Sequence, residues 1–274
     1  MNVGKTESLA GKRVIISTDG GRTRIRIPKQ NTGNEPSKRS EFDTPWKEPK
    51  LLVIQEIDET GQINRNTLPI YDTILGSANA LFKLLTDYLT QLNLQAADLV
   101  LFIGDGAKWI WNKTKVLFDN LGLKPSQYIE AIDYYHAVQH IYNLVEHLPT
   151  KNVAVIGKST LIEELKNLLW QGDIDRLTKR VKLLGKGNLP KVNGLLNYFA
   201  KRPKLFNYKY LKKVKMPCGS GIVESAIRRI INLRFKSPSS FWIPKNVEAL
   251  MFLRGVALAG RWNSFIANFA NLKS

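Results

Sequence analysis

Short apolar runs separated by polar turns dominate the first half of the chain and predict β-strands. The first run, Val14–Asp19, ends at two glycines, and the next segment, Thr23–Ile27, alternates polar and apolar residues as a half-buried strand does. We therefore predict that these two segments form a hairpin. Further strands are predicted at Leu51–Ile57, Asp98–Ile103 and Tyr128–Ile132.

Two helices are predicted among these strands. Leucines and a tyrosine recur at three- and four-residue intervals along Ser77–Leu92, and Ser77 is placed to cap the helix N-terminus. A second helix is predicted at Trp109–Leu121. The order of elements is three strands followed by alternating helices and strands, which predicts an α/β fold with a mixed sheet flanked by helices.

The pattern changes from strands to helices in the second half of the chain. Leucines recur at helical spacing within residues 150–215, and this pattern predicts an all-helical insertion. Two more helices are predicted, at Val223–Arg234 and at Ile243–Leu258, where Pro244 suits the first turn. We therefore divide the chain into a first core part at 1–149, the insertion at 150–215 and a closing part at 216–274.

Charge separates the same two halves. Residues 1–150 hold 17 basic and 17 acidic residues, whereas 151–274 hold 24 basic and 6 acidic, so the net charge of +18 comes from the second half. Lysines and arginines that neutralise phosphates release condensed counterions, so a polyanionic partner explains this excess. The alternative is a basic surface that only keeps the protein soluble.

Composition excludes several protein classes. The single cysteine, Cys218, cannot form an intramolecular disulfide or a cysteine-rich zinc module, and we interpret it as an ordinary buried or half-buried thiol. The N-terminus has no apolar signal region, and no apolar run approaches the roughly 18 residues of a membrane span. We expect a soluble intracellular protein without membrane contact.

Three acidic residues lie beside or shortly after glycines at the ends of predicted elements. Asp19 closes the first strand and Asp105 follows the fourth, and carboxylates at strand ends are well placed to share a Mg²⁺ ion. Each Asp-Gly pair is alternatively an ordinary turn. Glu224 lies in the first turn of a helix after a glycine-rich block, where the alternative is helix capping by Ser220 with a Glu224–Arg228 ion pair.

The spaced combination of these blocks is specific, although each block alone is weak. STDGGRTRIR, FIGDGAKWIW, DYYH and CGSGIVES, with IRRIINLRFKSPSSFWIPKNVEALMFLR downstream, resemble blocks of bacterial insertion-sequence DDE transposases, particularly the Kra and Lre groups. The resemblance spans Val14–Phe265. It implies an RNase H-like fold with a helical insertion before the glutamate-bearing helix. It also implies two-metal phosphoryl chemistry with Mg²⁺ or Mn²⁺, in which Asp19, Asp105 and Glu224 are the first, second and third acids.

The Asp133-x-x-His136 pattern resembles one found near the insertion boundary of several transposase families, which implies a supporting role for both residues near the active site or flanking DNA. The alternative is a structural hydrogen-bonded pair. His140 and His147 follow at intervals of four and seven residues, and a zinc site there would need more ligands.

Aromatic and basic residues around these blocks suit nucleic-acid contact. Trp109 and Trp111 cannot share a helix face, so we assign Trp109 to the site and Trp111 to the core, while Trp242 is equally balanced between the two roles. A basic run interleaved with aromatics covers residues 201–215. The predicted DNA-binding residues are Lys209, Lys212, Lys213, Lys215, Arg228 and Arg229, and Arg228 is weakened by its position near Glu224.

From the resemblance we expect a DDE transposase catalytic domain that performs metal-dependent DNA strand cleavage and strand transfer in the nucleoid-associated cytoplasm, as a homodimer or higher oligomer on DNA. Family members begin with a separate DNA-binding region, whereas the first strand here begins at Val14. We therefore expect a truncated, non-autonomous form, or end recognition by a separate chain. The alternatives are an inactive or domesticated DNA-binding remnant and another RNase H-like nuclease, against which the helical insertion argues.

Overall fold

A mixed five-stranded sheet forms the centre of the computed structural model, which describes residues 7–29, 41–185, 190–237 and 240–271. The strand order is β7-β6-β1-β8-β9, and β6 runs antiparallel to both of its neighbours while β1, β8 and β9 are parallel. The strands are β1 Arg13–Gly20, β2 Thr23–Arg24, β3 Ile27–Pro28, β4 Phe42–Asp43, β5 Trp46–Lys47, β6 Lys50–Ile57, β7 Ile70–Ile74, β8 Leu99–Gly104 and β9 Tyr128–Ile132.

An antiparallel meander followed by two parallel strands that are reached through helices is the RNase H-like arrangement, so the predicted fold class is confirmed. The helices are α1 Ala78–Gln91, α2 Lys108–Trp111, α3 Thr114–Asn120, α4 Tyr134–Glu146, α5 Thr150–Ile156, α6 Lys158–Gln171, α7 Ile174–Leu184, α8 Pro190–Ala200, α9 Tyr208–Lys213, α10 Gly221–Ala226, α11 Leu233–Phe235, α12 Pro244–Leu258 and α13 Trp262–Asn271.

The predicted hairpin between Val14–Asp19 and Thr23–Ile27 is wrong. Both edges of β1 are already occupied, by β6 and β8, so the following segment has no place beside it. The chain instead turns away at Gly21, whose amide donates to the Pro49 carbonyl at 2.8 Å. The alternating segment then pairs with residues 42–47 in two short ribbons outside the main sheet.

The third strand of the antiparallel meander is β7, which pairs with β6. The sequence pattern did not predict this strand. Its five residues, IYDTI, include Asp72, an acid that is unusual in a buried strand. Asp72 is tolerated there because the Tyr88 hydroxyl donates to its carboxylate at 2.6 Å. The hydroxyl comes from α1, so this contact also fastens the helix to the sheet.

Two faces of the sheet carry different helices. One face, with Val14, Ile16 and Ile54, packs against α1 and is continuous with the core of helices α4 to α9. The other face, with Leu51 and Val53, packs against α10 to α12. Glu224, in α10, is thereby held against the sheet from the second face.

Helices occupy the described part of residues 150–215, as the leucine spacing predicts, whereas the domain boundaries at 149 and 215 stay predictions. The predicted helix Trp109–Leu121 is split into α2 and α3 at Lys113, where φ is −125°. The predicted helix Val223–Arg234 contains a π-helical stretch at Ile227–Asn232, between α10 and α11. None of the helices in the described segments is long and apolar enough to cross a bilayer.

Candidate metal centre

Three neighbouring parallel strands each end at an aspartate. The pairing of β1 with β8 continues naturally to set Asp19 beside Asp105, and that of β8 with β9 sets Asp105 beside Asp133. Parallel strands present their carboxyl ends at one edge of a sheet, so the three side chains belong to the same edge. The last paired positions before them are Ser17 with Ile103 and Gly104 with Ile132.

The Asp19 carboxylate has few hydrogen-bond donors around it and has acidic neighbours. Burial is the largest cause that raises its pKa, and the nearby charges of Asp105 and Glu224 raise it further. The Gly20 amide, which donates to its carboxylate at 2.6 Å, and the charge of His136 act in the opposite direction. The pKa of Asp19 rises to about 6. Asp19 is therefore close enough to Asp105 and to Glu224 for each of their charges to act on it.

The backbone around Asp105 is fixed from two sides. The Trp111 indole donates to the Asp105 carbonyl at 2.5 Å, and the Ala107 amide donates to its carboxylate at 2.8 Å. The ring of Tyr198, from α8, lies so close to Gly106 that a side chain there would collide with it. Residue types alone gave no indication of this contact, which joins the helical insertion to the acidic edge.

Glu224 reaches the same edge from α10. Its carboxylate lies 3.4 Å from His136 Nδ1, and the side chain is half exposed. Ser220 occupies the N-cap position and Glu224 lies in the first turn, but the Ser220 hydroxyl donates to Asp133 and makes no side-chain cap. Among the described residues, Glu224 also makes no ion pair with Arg228.

Asp133 is the most thoroughly hydrogen-bonded of these acids. One carboxylate oxygen accepts from the amide of His136 at 2.8 Å, and the other accepts from both the amide and the hydroxyl of Ser220. Burial by itself would raise the pKa of Asp133, but the His136 side chain, whose Nδ1 lies 3.5 Å from the carboxylate, and then these three hydrogen bonds lower it to about 2. Asp133 thus ties the end of β9 to α4 and to the turn that precedes Glu224.

His136 lies between two acids. Its hydrogen bond to Asp133 is the largest cause that raises its pKa, burial acts against this, and the charges of Asp133 and Glu224 raise the pKa further, to about 8. Asp133, His136 and Glu224 offer ligand atoms that all lie within 4.8 Å of one another, so the group could hold a metal ion. Asp133 already accepts three hydrogen bonds, which makes it a poorer ligand than Asp19 with its one.

The two other histidines lie outside this group. His140 stacks on Tyr198 with ring centroids 3.7 Å apart, and His147 is 2.8 Å from the Asn143 carbonyl. The two tryptophans after Asp105 also separate. Trp111 is buried in the core, whereas the Trp109 ring lies 5.2 Å from the ammonium of Lys50.

Lys50 is a buried lysine that the sequence pattern did not single out. It pairs with Gly20 across β1 and β6, next to Asp19, and its ammonium lies 3.1 Å from a Glu48 oxygen. A single lysine at a strand start has no distinguishing pattern, so only the fold reveals its place beside the acidic edge. Cys218, by contrast, is the half-buried thiol that was expected, and burial raises its pKa.

The predicted DNA-binding residues are divided between two places. Arg228 and Arg229 are exposed, and they lie on the π-helical stretch that follows α10. Lys215 lies elsewhere, because its carbonyl accepts from the Arg13 guanidinium at 2.7 Å. Arg13 begins β1, so this contact stands roughly 20 Å along the strand from Asp19. The other three, Lys209, Lys212 and Lys213, are exposed on α9.

Comparison with known proteins gives one distant structural neighbour. The Drosophila P element transposase strand transfer complex matches with 12% sequence identity and a TM-score of 0.29, covering 98% of this chain and 69% of that chain. No protein-family model and no curated protein matches the sequence. A TM-score this low does not establish common ancestry or function, so function rests on the site itself.

Proposed function

We propose that this chain is the catalytic domain of a DDE transposase, which cleaves DNA strands and joins them to target DNA in a metal-dependent reaction. The observation that carries the proposal is Asp19 at the edge of the sheet, where burial, and then the charges of Asp105 and Glu224, raise its pKa to about 6. Carboxylates that repel one another on well-packed elements are characteristic of functional sites, because a bound cation relieves the repulsion.

The donor set suits a hard divalent cation. Carboxylate oxygens are the ligands that Mg²⁺ and Mn²⁺ prefer, and we assign Asp19, Asp105 and Glu224 as those ligands. Two such ions, when bound, would activate the attacking oxygen and stabilise the leaving oxygen of the scissile phosphate. His136, which is positively charged below about pH 8, orients Glu224, and Asp133 holds the turn from which Glu224 projects.

The test is cleavage of a labelled DNA duplex that carries the sequence flanking the gene, with Mn²⁺ or with EDTA. Asp19→Asn and Glu224→Gln should each lower Mn²⁺-dependent cleavage by more than about a hundredfold, since changes even outside the ligand shell cost ten- to a hundredfold. DNA affinity in EDTA should stay within about twofold. Asp72→Asn is the matched control, because Asp72 is also buried but bonds Tyr88, away from the site.

The products distinguish the competing functions. Joining of the cleaved strand to a second DNA supports a transposase, and cleavage without joining indicates another RNase H-like nuclease. Binding without cleavage indicates a DNA-binding protein that has kept the fold. Full cleavage by either acid variant would remove Asp19 or Glu224 from the proposed site.

We also propose DNA contact by the basic residues of the second half, in which α9 and its neighbours meet phosphates. Reversing Lys212, Lys213 and Lys215 to glutamate should lower the slope of log affinity against log salt by about 3, if each contacts one phosphate. An unchanged slope would contradict the contact. The matched control reverses three lysines elsewhere, which are Lys83, Lys124 and Lys151.

A further inference from the structure

A surface of arginines and aromatic rings begins five residues after Asp19 along the chain and takes no part in the site described above. We call it the arginine–aromatic surface. Its members come from the ribbons after β1 and from the segment before α12, and they are Arg24, Arg26, Phe42, Trp46 and Phe241.

The side chains of this surface are arranged as alternating cations and rings. The Arg24 guanidinium lies 5.1 Å from the Trp46 ring and 5.8 Å from the Phe241 ring. The Arg26 guanidinium lies 4.0 Å from the ring of Phe42, which is itself 6.0 Å from Phe241. Such contacts pre-organise both partners, because each ring face attracts a cation.

The backbone beneath these side chains is fixed by hydrogen bonds. The Trp242 amide donates to the Arg24 carbonyl at 3.2 Å, and the Arg26 amide donates to the Trp242 carbonyl at 2.8 Å. Ile25, between the two arginines, is buried. Since successive residues of an extended chain point to opposite sides, both arginines lie on the side opposite Ile25, where they are half-buried.

The arginines of this surface lack a carboxylate partner among the described residues, and part of its aromatic area is exposed. Among the described residues, no carboxylate lies within ion-pair distance of Arg24 or Arg26, and Arg24 Nε is buried without a hydrogen-bond partner. Trp46 is 47% exposed and Phe241 is 40% exposed. Large exposed rings beside unpaired arginines are unusual on a surface that meets only water.

The surface is also close to the proposed catalytic carboxylates. Arg24 is five residues after Asp19, so the chain between them spans at most about 18 Å. Gly21, in that connection, packs against Ile231, which follows Glu224 on the π-helical stretch. The segment that carries the first acid therefore continues into this surface, and it packs against the helical stretch that follows the third acid.

We infer that the arginine–aromatic surface binds an unpaired DNA strand next to the cleavage site, with bases stacked on Trp46 and Phe241 and phosphates neutralised by Arg24 and Arg26. This deepens the proposed function and rests on it for the identity of the nucleic acid. Base faces are accessible to aromatic rings only when the bases are unstacked, which selects single strands over duplex. Arginines supply the charge that a strand needs in either form.

The test measures binding of a fluorescently labelled 15-nucleotide oligothymidine and of a 15-base-pair duplex by anisotropy, in EDTA. The double variant Trp46→Ala/Phe241→Ala should lose about tenfold or more in affinity for the single strand, because each lost stack is worth several-fold at least. Its affinity for the duplex should change by less than about twofold. Trp46→Phe should retain most of the single-strand affinity, since a ring remains.

Trp262→Ala is the matched control, because Trp262 is 43% exposed and lies on α13, away from this surface. It should bind both DNAs as the wild type does, and melting temperatures verify that every variant is folded. Equal losses for single strand and duplex, or an unchanged single-strand affinity, would overturn the inference. Because EDTA prevents metal-dependent cleavage, a failure of the proposed catalytic function leaves this result readable.

Discussion

Asp19 and Asp133 stand at the same edge of the sheet, two strands apart and both largely buried, yet their pKa values move in opposite directions. The His136 side chain and three further hydrogen bonds act on Asp133, and its pKa falls to about 2. Asp19 accepts one hydrogen bond, from its neighbouring amide, and burial followed by the charges of Asp105 and Glu224 raises its pKa to about 6. From the opposite pKa shifts we infer that Asp133 stabilises the fold and that Asp19 is available to bind a cation.

The largest expected effect is on stability, when Asp133 is removed. Asp133→Ala leaves the Ser220 amide and hydroxyl buried without an acceptor, so the free energy of unfolding should fall by about 3 kcal/mol at pH 7. The lowered pKa means that the ionised Asp133 stabilises the fold above about pH 4 and that this contribution is lost as pH falls through about 2. Urea unfolding of the wild type and of Asp133→Ala at pH 7 and at pH 3 measures the loss of unfolding free energy and its dependence on pH.

A matched acid serves as the control for Asp133. Asp58 also has a lowered pKa through hydrogen bonds from Thr60 and Gln62, but it lies in the turn after β6, outside the core. Asp58→Ala should therefore destabilise the protein much less than Asp133→Ala. Equal losses for the two variants would mean that the link from Asp133 to Ser220 does not hold the edge together.

The positions of Asp19, Asp105 and Asp133 could be predicted from sequence because each follows an apolar run. Runs such as DLVLFI predict strands by their composition, and each aspartate lies within a few residues of the end of such a run. Which strands are neighbours is a long-range property, and nothing in the runs themselves encodes it. This is why the prediction that Thr23–Ile27 pairs with β1 is wrong. The sequence pattern does not predict β7, because Asp72 interrupts its apolar run.

The difference in charge behaviour between Asp19 and Asp133 could not be predicted from sequence either. The donors that lower the pKa of Asp133 include Ser220, which is 87 residues away. Tyr198 and Lys50 also reach the edge through the fold alone, from α8 and from the start of β6. Single side chains without a pattern acquire their roles only from tertiary contacts.

A smaller effect of opposite sign is expected when the charge of Asp19 is removed. With its pKa raised to about 6, Asp19 favours the folded state while it is protonated, and this contribution is lost as pH rises through about 6. Asp19→Asn should therefore raise the free energy of unfolding by about 2 kcal/mol at pH 8 in EDTA and leave it unchanged at pH 4. A destabilised variant at pH 8 would mean that Asp19 is a structural acid like Asp133.

Added Mn²⁺ sharpens the same prediction. The ion should raise the melting temperature of the wild type, because a ligand that binds only the folded state stabilises it. The shift should largely disappear in Asp19→Asn and persist in Asp72→Asn, where burial also raises the pKa of the acid but Tyr88 hydrogen-bonds it. An equal shift in both variants would place the ion away from Asp19.

The smallest effect concerns His136, which lies between the two kinds of acid. Its pKa of about 8 exceeds the ordinary value of 6.5, so its stabilising contribution is present below about pH 6.5 and is lost as pH rises through 8. The side chain is 44% exposed, and solvent screening limits the contribution to about 1 kcal/mol or less. His136→Gln should accordingly be less stable than the wild type at pH 6 and equal to it at pH 9.

His147→Gln is the control for losing a histidine as such, because the His147 ring contacts the Asn143 carbonyl outside the site. If His136→Gln differs from the wild type by the same amount at both pH values, the contacts with Asp133 and Glu224 do not stabilise the protonated ring.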